Sequence, residues 1–324
     1  MEKIEIEILG SESMGVRSLC TKVTTPDLSI LLDPGCALGP RRGHQVPHPD
    51  EYAKLHEITG KILEASRSCK YFFISHYHHD HFKPRQLDEM YIHTSHELFK
   101  SLFKDKVVYL KSLRNHIGTN QKKRGRYLKQ AASKIIGEFH DADYKQVKIG
   151  DTMLDFSWPV KHGEAGSNLG HVILLRVRHG KETFVFAPDV QGPVIQDTMK
   201  FFLDIPPDVA IVGGPPFYLK DKLKNFPYAK AIEFIKKLHG VIPRLVLDHH
   251  CCRSIDDYDE LMEKISIGGS HEACDAATYM GQEREYLEAK RDDLYKTNPP
   301  GEKFMAWARM DVNERMKINP LLGT

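Results

Sequence analysis

The sequence predicts a layered α/β fold, and three observations predict it. Short apolar segments of strand type recur along the chain, and "VRSLCTKVTT" and "LSILLDPG" among them are closed by Pro or Gly. Segments with apolar residues at helical spacing separate them. The strand-type segments also run directly into histidines or acids, as expected where a sheet aims functional side chains from its carboxyl edge.

Taken in order, Ile4, Ile6 and Ile8 alternate with Glu5 and Glu7, a half-buried strand. "VRSLCTKVTT" and "LSILLDPG" follow as two more. The spacing of Leu55, Ile58 and Ile62 predicts a helix, with Asp50 placed to cap it. "KYFFIS" has the length and composition of a buried strand. Residues 82–140 read mainly as helices, including "SHELFKSLFK" with Leu98, Phe99, Leu102 and Phe103 on one face. Strands return with "KIGDTMLDFSWPV", and "HVILLRVRHGKETFVFAPDV" reads as a hairpin, followed by "DVAIVGGPP". A helix around "AKAIEFIKKLHG" carries Ile232, Ile235 and Leu238 on one face, with Gly240 as its stop signal, before the strand "PRLVLDHH". With no repeat of solenoid period and no low-complexity linker, the expected organisation is a single domain over residues 1–324. It carries a helical, basic insertion at about 82–140 and a helical C-terminal segment at about 254–324.

Composition narrows the class. The 324 residues include 46 basic and 44 acidic side chains, so no global field selects a polyanionic partner. The apolar runs are strand-sized, short of the roughly 20 residues of a membrane helix, and "MEKIEIEILG" lacks a signal-peptide core. Six cysteines, at 20, 36, 69, 251, 252 and 274, form no CxxC pair. Reduced, buried thiols in a cytoplasmic enzyme without membrane attachment are the expectation.

The densest chemistry lies in "SHYHHDH", residues 75–81. Crowded imidazoles repel one another when protonated, and a metal ion is the physical reason to gather them neutral. A turn after the strand sends His76 and His78 to one ion, and Asp80 and His81 to a second. Two ions at roughly 3.5–4 Å hold a bridging hydroxide. Each ion needs a further ligand, and a shared carboxylate would offset their charge. His162, Asp189 and either His249 or His250 are the types required, each just past a strand. Asp33 and Gly213-Gly214 also follow strands. Imidazole and carboxylate donors without thiolate suit Zn²⁺, Fe or Mn²⁺ in an open, catalytic site.

This pattern resembles the HxHxDH signature of the metallo-β-lactamase superfamily, and the resemblance covers most of the chain in motif order. It implies an αββα sandwich of two mixed sheets flanked by helices. It further implies His76, His78 and His162 on the first metal, Asp80, His81 and His249 on the second, and Asp189 as the bridge. "SESMGVRSL", "ILLDPGCALGPRR", "APDVQGP" and "LVLDHHCCR" are more narrowly similar to an archaeal family of predicted metallo-hydrolases. "LDHHCCR" also resembles the THFSxR segment of tRNA 3′-processing nucleases, which aligns His249 with the ligand and Arg253 with the arginine. His250 is then left as a catalytic or substrate-contacting residue, and His79 as a non-ligand.

The expected function is hydrolysis by a hydroxide held between two divalent ions, with Asp80 orienting the nucleophile. His171, Glu164 and His250 are candidate proton donors, and Asp33 and Asp248 are candidate acceptors holding ligand imidazoles in one tautomer. Residues 100–134 hold eleven Lys or Arg against the single acid Asp105, whereas residues 256–296 hold twelve acids and five bases. Lys122, Lys123 and Arg124 are therefore candidate contacts to an RNA or DNA phosphate backbone. Arg253 and Asn168, the latter in the Gly-rich stretch after His162, are candidate substrate contacts. Three alternatives stand beside the nuclease reading. The substrate is a small phosphorylated, ester or lactone metabolite; the charged segments pair within the fold or across a homo-oligomer; or the chain is a metal-binding regulatory or scaffold protein without turnover. The seven filled ligand positions favour catalysis.

Overall fold

In the strands, one residue in two faces the same way, and three apolar clusters divide on that alternation. A computed structural model describes residues 3–87, 90–267 and 271–318. Its first sheet runs β1 (Glu5–Ser11), β2 (Leu19–Thr24), β3 (Ser29–Leu32), β4 (Tyr71–Ile74), β5 (Val107–Leu110) and β6 (Glu138–Asp141), in that spatial order. The first three strands are antiparallel and the last four parallel. The parallel crossovers carry α1 (Pro49–Ser68), α2 (His96–Phe103) and α3 (Thr119–Ala132).

The second sheet is built from β7 (Gln146–Ile149) and β8 (Thr152–Phe156), joined beyond a two-stranded ribbon of β9 (Val160–Lys161) and β10 (His171–Val172) by β11 (Leu175–His179), β12 (Glu182–Ala187), β13 (Val209–Gly213), β14 (Arg244–Asp248) and β15 (Glu272–Cys274). Its order is β15-β14-β13-β12-β11-β8-β7, parallel from β12 to β15 and antiparallel elsewhere. Helices α4 (Gln196–Leu203), α5 (Tyr228–His239) and α6 (Ile255–Ser266) follow its strands, and α7 (Ala276–Tyr279), α8 (Arg291–Thr297), α9 (Glu302–Arg309) and α10 (Val312–Arg315) complete the chain.

Leu32, Phe73 and Tyr109 of the first sheet meet Phe184, Ile211 and Val246 of the second in a central layer. Their neighbours Leu31, Phe72 and Val108 face outward under α1, α2 and α9, and Val185, Ala210 and Leu245 lie under α4, α5 and α6. Two mixed sheets thus sit between two layers of helices, the αββα arrangement implied by the resemblance.

Two sequence expectations need correction. Segment 82–140 is not purely helical, because β5 and β6 lie in it. "VVYL" is buried in the sheet and shows no polar alternation, while "EFHD" is a polar edge strand with Phe139 as its single large apolar residue. The cap of α1 is His48 rather than Asp50. Its Nδ1 accepts the Asp50 N–H at 3.2 Å, Glu51 reaches back to the His48 N–H at 2.9 Å, and Pro49 occupies the first turn.

Candidate metal centre

Four strand ends supply the centre. β4 leads into residues 75–81, β9 into His162, β12 into Asp189, and β14 into His249. All seven candidate ligands lie at this edge, and His76, His81, His162, Asp189 and His249 are buried.

The two carboxylate oxygens of Asp189 divide the imidazoles into two groups. Oδ2 lies 3.1 Å from His76 Nε2, 2.9 Å from His162 Nε2 and 3.6 Å from His78 Nδ1. Oδ1 lies 3.0 Å from both His81 Nε2 and His249 Nε2. Asp80 approaches the second group from the other side, 4.0 Å from His81 Nε2 and 3.8 Å from His249 Nε2. The ring nitrogens also crowd one another: His76 Nε2 is 3.0 Å from His78 Nδ1, and His81 Nε2 is 3.3 Å from His249 Nε2.

The outward nitrogens explain this crowding. His81 Nδ1 donates to Asp33 Oδ2 at 2.7 Å, and His249 Nδ1 donates to Glu12 Oε2 at 2.8 Å. Ser75 Oγ donates to Asp33 at 2.6 Å and accepts from His76 Nδ1 at 2.9 Å. With a proton fixed on each outward nitrogen, a neutral ring turns a lone pair inward. Lone pairs 3 Å apart repel, and a shared cation is what relieves them. Asp189 Oδ1 and His162 Nδ1 are buried without a hydrogen bond. The donor set therefore fits two divalent ions. Burial and the neighbouring His81 hold His76 well below the usual imidazole range. Burial opposes charge on His81 and His249, yet Asp189 with Asp33 or Glu12 outweighs it and raises both above the usual imidazole range. Burial likewise opposes ionisation of Asp189 and Asp80, and the charge on these two rings outweighs it, a charge that bound divalent ions would supply instead.

Backbone geometry sets His249 and His250 apart, although both belong to groups that could hold an ion. His249 adopts φ +66°, an unusual conformation for a non-glycine residue, which turns consecutive rings into the site. His249 faces Asp80 and Asp189 Oδ1, whereas His250 Nε2 stands 3.9 Å from Asp189 Oδ2 and lines the adjoining cleft. Asp248 does not hold an imidazole. Its Oδ1 accepts the His249 and Ser13 backbone N–H groups, and its Oδ2 accepts that of Ala276. Glu12, in the segment after β1 that the sequence left without a role, takes the imidazole instead. No spacing signal could have found it, because it meets His249 across 237 positions.

The cleft, of about 550 Å³, is lined by Arg17, Arg124, Arg253, Tyr218 and His250 beside an apolar flank that includes Leu38, Tyr91 and Ile92. Two of its arginines are already compensated. Arg253 Nε bonds Glu12 at 2.7 Å and Nη1 bonds Tyr218 at 3.0 Å, and Arg17 grips Glu288 through two 2.6 Å bonds. Arg124 forms no ion pair among the described residues, and its Nη1 lies 3.4 Å from the Tyr77 carbonyl.

The structure separates the other candidates. Lys122 lines a different groove, Lys123 is exposed outside the described cavities, and Asn168 is exposed while its neighbour Leu169 reaches the cleft. The stretch after His162 is the turn joining β9 to β10. His171 packs against His116 with ring centres 5.2 Å apart, and neither it nor Glu164 lines the cleft, which leaves His250 there. His79 lines the cleft wall, packed 5.5 Å from the Phe82 ring.

No family model matches the chain. The UPF0282 protein of Methanopyrus kandleri is 36% identical over 287 residues, covering 88% of this chain and 97% of its own length. The UPF0282 protein of Methanocaldococcus jannaschii is 33% identical over 297 residues, covering 91% and 98%. Among solved structures, the metallo-β-lactamase fold protein YhfI from Bacillus subtilis superposes with a TM-score of 0.49 at 14% identity, covering 84% of this chain and 95% of that one. The short form of human tRNase Z gives 0.44 at 16% identity, covering 75% and 91%.

Proposed function

The chain belongs to the UPF0282 family, and from that premise we propose that it is a dinuclear metal-dependent hydrolase acting on phosphodiesters, with a nucleic acid as the preferred substrate. The observation that carries the reading is the division of Asp189, one carboxylate oxygen to each imidazole group. His76, His78 and His162 would hold one ion, Asp80, His81 and His249 the other, with Asp189 between them. Divalent ions bound there, Zn²⁺ by donor type with Fe or Mn²⁺ also suited, supply Lewis acidity and a water acidified into the neutral range.

The chain's own groups do the rest. Asp33 and Glu12 keep the ligand rings in one tautomer. Asp80, partly open to the cleft, orients the attacking water, and His250 presents a ring nitrogen to a substrate oxygen. Arg124, a cleft guanidinium that forms no ion pair among the described residues and feels Asp80 only at longer range, recognises the substrate anion. The apolar flank accommodates the organic part of the ester.

The test is turnover of bis-p-nitrophenyl phosphate, single-stranded RNA and DNA, and a lactone panel by metal-loaded protein, with Asp189→Ala as control. Phosphodiester hydrolysis that disappears in Asp189→Ala supports the reading. Arg124→Ala is expected to raise KM for the phosphodiester at least tenfold and to leave kcat within about threefold. Turnover confined to lactones, indifferent to Arg124, would replace the reading by small-ester chemistry.

A further inference from the structure

The basic run of α3 is divided by helix geometry. Arg124 turns to the cleft, while Lys122, Arg126 and Lys129, at i, i+4 and i+7, share another flank. That flank forms one wall of a separate groove of about 580 Å³, and Arg114 and Lys145 also line it. Lys145 lies outside the basic run of the sequence, so the fold completes this cluster. Asp141 is the carboxylate lining the groove, 3.2 Å from Lys129 Nζ and 3.9 Å from Arg114 Nε. Lys122, Arg126 and Lys145 form no ion pair among the described residues.

Like charges gathered around one groove repel, and Asp141 together with the Tyr109 ring, its centre 5.8 Å from Lys145 Nζ, offsets only part of that repulsion among five cations. Aromatic faces stand close by in the chain. Phe139 and His140, both half-buried, line the groove itself, and Tyr144, adjacent to Lys145 in the chain, is 68% exposed, whereas Tyr127 of α3 lines a different groove. An excess of cations along a groove walled by the Phe139 and His140 rings, with the exposed Tyr144 next to Lys145 in the chain, matches the two demands of a single strand, backbone neutralisation and base stacking.

We propose that this groove is a second binding site, separate from the metal cleft, for the phosphate backbone of a single-stranded polynucleotide. It rests on the phosphodiester reading and sharpens it, because a bound strand would occupy both the cleft and the groove.

The test is the salt dependence of binding of a fluorescein-labelled, phosphorothioate-linked single-stranded RNA to metal-loaded protein, followed by anisotropy. Each backbone contact to a single strand contributes about 0.7 to the slope of log K against log salt. The triple variant Lys122→Ala/Arg126→Ala/Lys145→Ala is expected to lower that slope by about 2 and weaken binding at least tenfold in low salt. Tyr144→Ala is expected to weaken binding about fivefold or more with the slope unchanged. Thermal melting of each variant checks that the fold is intact. An unchanged slope and Kd in the folded triple variant would overturn the proposal, as would labelled poly-glutamate binding to the wild type as tightly as the RNA. Failure of the phosphodiester reading shows separately, as turnover confined to lactones or as phosphodiester hydrolysis that persists in Asp189→Ala.

Discussion

Glu12 shows what a single buried carboxylate does here. It accepts from His249 Nδ1 and from the guanidinium of Arg253, which is 3% exposed, so one side chain fixes a candidate ligand and neutralises a buried cation. Glu12→Gln keeps the shape and removes the charge. It is expected to destabilise the fold by about 3–5 kcal/mol, because Arg253 loses its counter-ion, and to reduce bound metal below two per chain. Urea denaturation and elemental analysis check the two parts; unchanged values in both would contradict this role. The contrast with residues 75–81 explains what was legible. Four histidines and an aspartate in seven positions announce themselves locally. Glu12 reads as a surface acid until β1 and β14 are brought together. Asp248 was readable as a polar strand end, but its work on backbone N–H groups was not.

At the scale of elements, α3 depends on a glycine in its interior. A Cβ at Gly125 would stand 2.4 Å from Leu113 Cδ2 and 2.8 Å from Tyr77 Cζ, so the helix closes on the histidine loop only where the side chain is missing. Gln121, on the preceding turn, accepts the Tyr77 N–H at 3.4 Å and donates to the Leu169 carbonyl at 2.6 Å, joining the loops that carry His78 and His162. Gly125→Ala gains about 1 kcal/mol of helix propensity but overpacks this contact at a cost of about 1–3 kcal/mol. A lower Tm together with a raised KM for bis-p-nitrophenyl phosphate is expected, since Arg124 is the adjacent residue. A stabilised variant with wild-type KM would contradict the contact. The long periodic elements, α1, α5 and the β11–β12 hairpin, were legible because their patterns run over several turns or repeats. β5, β6 and β15 were not, being three or four residues long with their partners distant in sequence.

At the scale of the molecule, ion pairs tie the two ends of the chain together. Arg17 meets Glu288 across 271 positions, and buried Arg291 meets Glu51 across 240. This is where the acidic C-terminal residues go in part, pairing with arginines outside the basic run of α3. Burial opposes ionisation of Glu288, yet Arg17 outweighs it and draws the carboxyl from 4.5 to about 2. A carboxyl depressed on folding stabilises fully above its unfolded value and loses that contribution as pH falls from about 4.5 toward 2. The loss amounts to about 3 kcal/mol. Urea denaturation of wild type and Glu288→Gln between pH 6 and 3 checks it: the stability difference should narrow as pH falls, and a constant difference would contradict it.

The proposed dinuclear centre joins all three scales, since its candidate ligands come from both sheets and its proposed bridge is one carboxylate. Metal counting by elemental analysis on wild type and Asp189→Ala, each refolding-competent and saturated with Zn²⁺ before desalting, tests it most directly. Two ions per chain in the wild type, falling to one or none in Asp189→Ala, is the expected result. One ion or none in the wild type, or two retained without Asp189, would contradict a centre built around that carboxylate.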